Sequence, residues 1–189
     1  MSRLQVLAAN PRLALGALVT LLLAAGAVVG SGADFTATSA NPSNTFSSGT
    51  LTMGNSNAGT AILTASNLRP GEAPQAGTVD IENTGSLSGT FTLVRGTVTN
   101  TDVANPMSAK LNMTVVDCGT FTGSTPPTCG DGDDVSKYTG TLAAMGTTAL
   151  GSYNANVKHR YRFTVALDSS ADNAYQGDGA TAAFDFNAA

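Results

Sequence analysis

The period-two alternation in Val157–Leu167 constrains this chain more than any other feature. Val157, His159, Tyr161, Phe163, Val165 and Leu167 fall on one row. Lys158, Arg160, Arg162, Thr164 and Ala166 fall on the other. Successive strand residues point to opposite faces, so this pattern predicts a half-buried antiparallel strand. The last apolar segment repeats it, with Ala182, Phe184 and Phe186 against Ala183, Asp185 and Asn187. Leu111, Met113 and Val115 alternate with Lys110, Asn112 and Thr114. Further strands are predicted at Leu51–Met53, Ala61–Thr64, Gly77–Glu82, Thr90–Val98, Ala109–Asp117, Tyr138–Leu142 and Thr181–Asn187. They are separated by stretches with Gly, Asn, Pro and Ser punctuation. Thr141–Leu150 reads as a short helical turn weakened by Gly146. The predicted fold is all-β: a two-sheet antiparallel sandwich of the jelly-roll kind, preceded by an N-terminal apolar signal helix. The alternation leaves strand order open.

The front of the chain obeys a different grammar. Arg3 and Arg12 precede Leu13–Gly30, an uncharged and mostly apolar run of 18 residues. Ser31-Gly32-Ala33 then offers small residues at the −3 and −1 positions of a cleavage site. This predicts a secretory leader over residues 1–33, cut between Ala33 and Asp34. The other reading is a retained anchor, because the run is near the length that spans a bilayer. After cleavage, 156 residues of net charge −6 remain, enough for one domain with its own core. That acidity disfavours a nucleic-acid partner. A membrane contact is expected only through an uncleaved leader.

Few groups suit catalysis. Cys118 and Cys129 enclose ten residues, including Pro126-Pro127, and read as a disulfide-closed loop in an exported protein. His159 is the sole histidine, and HExxH and GxSxG motifs are absent, so no catalytic residue is assigned. Asp131, Asp133 and Asp134 form the sharpest acidic cluster. With two adjacent glycines they could suit calcium, but the EF-hand spacing is missing, and a solvated loop beside the cysteine bridge is the favoured reading. No other cofactor is expected. Lys158, Arg160 and Arg162 form a basic stripe, either solvent-facing or set against an acidic loop of a neighbour. Residues 34–48 are polar, rich in Ser, Thr and Asn, with Phe35 and Phe46 as isolated apolar anchors.

Three motifs, taken in order, resemble the TasA/camelysin family of exported prokaryotic proteins. They are NTFSSGTLTM at Asn44–Met53; SNLRPGE at Ser66–Glu72 with VDIENTGSLSGTFTL at Val79–Leu93; and NAYQGDGATAAFDFNA at Asn173–Ala188. The likeness covers the leader and both ends of the remaining domain, while residues 96–170 depart from it. It implies a jelly-roll subunit of extracellular or biofilm matrix fibres, whose leader is removed by a SipW-type signal peptidase. It also implies assembly as a homopolymer, the mature N-terminal strand of one subunit adding to the next. The donor would lie within Asp34–Phe46, anchored by Phe35 and Phe46. Other matrix or envelope proteins are further expected partners. Two alternatives stand beside it: a monomeric cell-envelope binding module, and a camelysin-like metalloprotease, which lacks its expected ligand motif here.

Overall fold

The computed structural model describes residues 11–30 and 47–189. Two compact units divide the chain, Met1–Phe46 and Ser47–Ala189. In the first, helix α1 runs over Pro11–Gly30, with Pro11 at its first position, where a missing N–H costs nothing. Its 20 residues extend about 30 Å. Leu15, Leu18, Leu21 and Leu22 are all more than half exposed. Among the described residues no helix is long and apolar enough to cross a membrane. The side chains of residues 23–30, the second half of the apolar run, lie outside that description. The cleavage pair Ala33 and Asp34, and the anchors Phe35 and Phe46, also lie outside the described residues.

The second unit holds eight strands: β1 Met53–Asn55, β2 Gln75–Asn83, β3 Gly89–Asn100, β4 Leu111–Phe121, β5 Val135–Thr141, β6 Thr147–Tyr153, β7 Lys158–Leu167 and β8 Ala180–Ala188. They form two antiparallel sheets, ordered β1-β2-β7-β4-β5 and β6-β3-β8. The inner rows of both sheets supply one core. Val79, Ile81, Met113, Val115, Tyr161 and Phe163 face Phe91, Leu93, Leu150 and Phe186 across it. Phe163 packs its ring against Phe184 and Phe186, at centroid distances of 5.2 and 6.5 Å. Two predicted alternations, in β4 and β7, hold over Leu111–Val115 and Tyr161–Leu167, where Leu111, Met113, Val115, Tyr161, Phe163, Val165 and Leu167 are buried, whereas Val157 and His159 of the same predicted row are half-buried. The row assignment in β8 holds as well, with Phe186 buried and Ala182 and Phe184 half-buried.

Two expectations fail locally. Thr147–Tyr153 is a strand, and only Leu142–Ala144 turns before it. The alternation there is broken by Gly151, at φ 121, where the pairing with β3 shifts register. A β-bulge of this kind moves Tyr153 onto the inner row out of step with Thr148 and Leu150. Ala61–Thr64 is not a strand. It crosses the inner side of β2 at Gly77, where an added Cβ would lie 2.0 Å from the Ile62 carbonyl oxygen. Ile62, Leu63, Ala65 and Leu68 pack against the core from this irregular wrap.

Candidate functional site: the free edge of β8

β8 ends the smaller sheet, and its hydrogen bonding follows from the β3 register. Thr90 and Ala189 exchange both main-chain bonds, at 2.7 and 3.0 Å. Two residues on, Thr92 opposes Asn187, and Val94 opposes Asp185. Beyond a bulge, Thr99 opposes Thr181, and Thr101 donates to the Gly179 carbonyl at 3.0 Å. Bonded and non-bonded pairs alternate in an antiparallel ladder. The odd-numbered residues of β8 therefore serve β3. Ala180, Ala182, Phe184, Phe186 and Ala188 turn their N–H and C=O groups the other way. Among the described residues no strand pairs with that side. These are also the residues whose side chains face the core. A strand added here would thus reach backbone and core through the same positions.

A groove runs along this edge. Beside Ala180–Phe184 it opens into a cavity of about 780 Å³ between β8 and the wrap, floored by Leu111, Met113, Val165 and Leu167. Farther along, a second recess of about 440 Å³ separates Phe184–Asn187 from Met53 and Asn55 of β1. The wrap is held by its own turns. Asn67 and Gly71 take positive φ of 54 and 73, and Glu72 N–H bonds the Arg69 carbonyl at 3.1 Å around Pro70. At the other end, Asn83 is fully buried. Its amide donates to the carbonyls of Leu87 and Tyr153, and its oxygen accepts from Gly85 N–H.

The other residues singled out by sequence lie elsewhere. Cys118 and Cys129 are disulfide-bonded, with Cα atoms 4.8 Å apart. Of the acidic cluster, Asp134 accepts from Gly130 N–H at 2.9 Å and from Arg162 Nη2 at 3.1 Å. Asp131 accepts from Asp133 N–H at 3.3 Å. Asp134 Oδ1 and Arg162 Nε are buried without a partner. Among the described residues no group of three or more His, Cys, Asp or Glu side chains is placed to hold a metal. The basic stripe meets acids of its own chain. Arg160 donates to both Asp80 oxygens at 2.7 and 2.8 Å, and Lys158 lies 3.4 Å from Glu82.

Sequence reading missed a polar cluster at one end of the core. The Asp117 carboxylate accepts from His159 Nδ1 at 3.0 Å and lies 3.4 Å from Lys137 Nζ. Burial alone would push the Asp117 carboxyl up. The hydrogen bonds from His159 and Gly119 N–H, with the charges of His159 and Lys137, outweigh it and hold the carboxyl below its ordinary value. The His159 ring stacks on Tyr153 at 4.1 Å. Tyr153 and Tyr161 share a hydroxyl–hydroxyl contact, and burial pushes both phenols up. The parity of Asp117 with Val115 was a signal for this cluster, because it places an acid on the inner row. Cys118, next to Asp117, is bonded to Cys129 and offers no free thiol to this cluster.

No family model matches this chain, and no curated protein matches it.

Proposed function

We propose that this chain is a secreted structural subunit that polymerises by strand addition, the mature N-terminal segment of one copy pairing with β8 of the next. The observation that carries the reading is the edge of β8. Its main-chain groups that have no strand partner among the described residues belong to the core-facing row and border an apolar-floored groove. Strand addition uses such an edge: main-chain bonds supply affinity and alternate side-chain pockets supply register. A head-to-tail contact of this type does not close, so it propagates as a filament.

The strand order supports the finer fold. β2 pairs with β7, β3 with β6, and β4 with β5. This order suits a long hairpin rolled into a double-sheet jelly roll. The next pair in that series would be β1 with β8, yet β1 lies on β2 instead. In this reading, the strand from the neighbour completes the roll. The exposed leucines of α1 suit a leader helix destined for the export machinery or a bilayer. The Cys118–Cys129 bond suits an oxidising compartment. The ordered motifs of the TasA/camelysin family point the same way, with matrix fibres as the product and a SipW-type peptidase as the processing partner.

Deleting Asp34–Ser43 from the exported chain tests the reading. Filaments seen by electron microscopy for the parent are expected to vanish, with the domain still folded by circular dichroism. Normal filaments from the truncated chain would overturn it.

A further inference from the structure

We infer that the outer face of the larger sheet carries a binding site for an uncharged saccharide, seated between β1 and the loop closed by Cys118 and Cys129. The site does not use the edge of β8 and owes nothing to strand addition. The strand register builds it. Gly54 opposes Glu82, Glu82 opposes Lys158, and Lys158 opposes Phe121, so one row runs across β1, β2, β7 and β4. Directly opposed residues place their side chains on the same face. Asp80 and Arg160 oppose each other two residues along, and so share that face. The core takes the other face, through Val79, Ile81 and Tyr161. The result is a recess of about 440 Å³ floored by two acids and two cations. Ser56 walls it on one side, and Phe121, Ser124 and Pro126 wall it on the other.

The floor selects among ligands by its charge. Arg160 donates through Nε and Nη2 to the two Asp80 oxygens, and Lys158 lies 3.4 Å from Glu82, so the four charges cancel. A polyanion would meet two carboxylates, a metal ion would find both already paired, and an apolar ligand would strip water from all four groups. A sugar hydroxyl is donor and acceptor at once, and a carboxylate beside a guanidinium offers it both partners through charge-assisted bonds. Capacity is left for such a ligand. Among the described residues Arg160 Nη1 makes no hydrogen bond, and each Asp80 oxygen accepts one side-chain bond where it has room for two. The walls are fixed in advance. Ser56 N–H bonds the Asp80 carbonyl at 3.0 Å, and Ser56 Oγ accepts from Asp80 N–H at 2.9 Å. Lys158 donates to the Gly123 carbonyl at 3.3 Å and stands 5.8 Å over the Phe121 ring, tying the disulfide-closed loop to the floor. A site ordered before its ligand arrives loses little entropy on binding. Phe121 and Pro126, both half-buried, offer apolar surface to the carbon face of a pyranose ring.

Isothermal titration of the exported chain with dextran, mannan and cello-oligosaccharides tests this, with dextran sulfate as the charged comparison. At least one neutral saccharide is expected to bind, with a Kd that changes by less than about twofold between about 50 and 500 mM salt, because no net charge is neutralised. Dextran sulfate is expected not to bind. Ser124→Leu fills the recess from an exposed loop position, and Arg160→Lys removes the fork while keeping the charge. Each is expected to weaken binding by about tenfold or more, with folding checked by circular dichroism. Phe121→Ala is expected to act in the same direction and Phe121→Tyr to retain binding. Lys110→Ala, beside Ser170 and away from the recess, is expected to change nothing. Binding of no neutral saccharide, or a preference for dextran sulfate, would overturn the ligand class. Unchanged binding in folded Ser124→Leu or Arg160→Lys would overturn the placing of the site. Filaments play no part in the readout, so either failure leaves strand addition standing.

Discussion

At the scale of single residues, Asp117 concentrates the chemistry of the folded domain. Its carboxyl is almost fully buried, yet it is held ionised by His159, Gly119 N–H and Lys137. A carboxyl lowered on folding adds stability that is present above its unfolded value, 3.8 here, and is lost as pH falls through the folded value. Asp168 acts in the same direction. The Ser170 hydroxyl, with Ser170 N–H and Asn112, brings it down to about 2, but at an exposed position. Urea titrations between pH 6 and pH 2 are therefore expected to show falling stability below pH 4. Asp117→Asn is expected to flatten that slope in part, leaving the share of Asp168. At pH 7 the same variant is expected to lose roughly 1–3 kcal/mol, because it strands His159 and Lys137 without their anionic partner. Equal slopes in the two proteins would show that Asp117 is not the linked group.

At the scale of elements, the sandwich depends on two segments that are not strands. The wrap crosses β2 only because Gly77 has no side chain. Gly77→Val, a favourable change by strand propensity, is expected to destabilise the domain by about 1–3 kcal/mol in thermal unfolding, since Ile62 must move. The loop closed by Cys118 and Cys129 leads on to Asp134, the partner of Arg162. Replacing both cysteines by serine is expected to cost roughly 2–3 kcal/mol, with the same loss in the parent under reductant. These two segments also show what the sequence conceals. The rows of β4 and β7 were legible because their alternation runs unbroken through Leu111–Val115 and Tyr161–Leu167. β6 was not, because the bulge at Gly151 erases its period. Ala61–Thr64 has strand composition, but its path is decided by a contact with Gly77, well away in sequence. The β8 edge was hidden for a related reason. Phe184 and Phe186 announce an inner row, whereas the lack of a neighbouring strand among the described residues is a property of sheet order.

At the scale of the whole molecule, the reading treats one subunit as a roll missing a strand. Under the proposed jelly roll, the series β2–β7, β3–β6, β4–β5 would set that strand antiparallel to β8. An antiparallel strand can also be supplied from the same chain. β8 ends at Ala188, one residue before Ala189. Appending Asn-Gly and then a copy of Asp34–Pro42 after Ala189 would form a two-residue hairpin turn and return the donor along the free edge. Made without the natural segment before Ser43, this variant should satisfy β8 internally. It is expected to be monomeric by light scattering and to melt higher than the truncated chain, by about 2–4 °C for each kcal/mol gained. Adding it to the parent should not seed or cap filaments, because its edge is occupied and it has no donor to give. An appended Phe35→Asp copy should lose most of the thermal gain. A self-paired chain that melts no higher than the truncated one would show that the edge of β8 does not receive the strand.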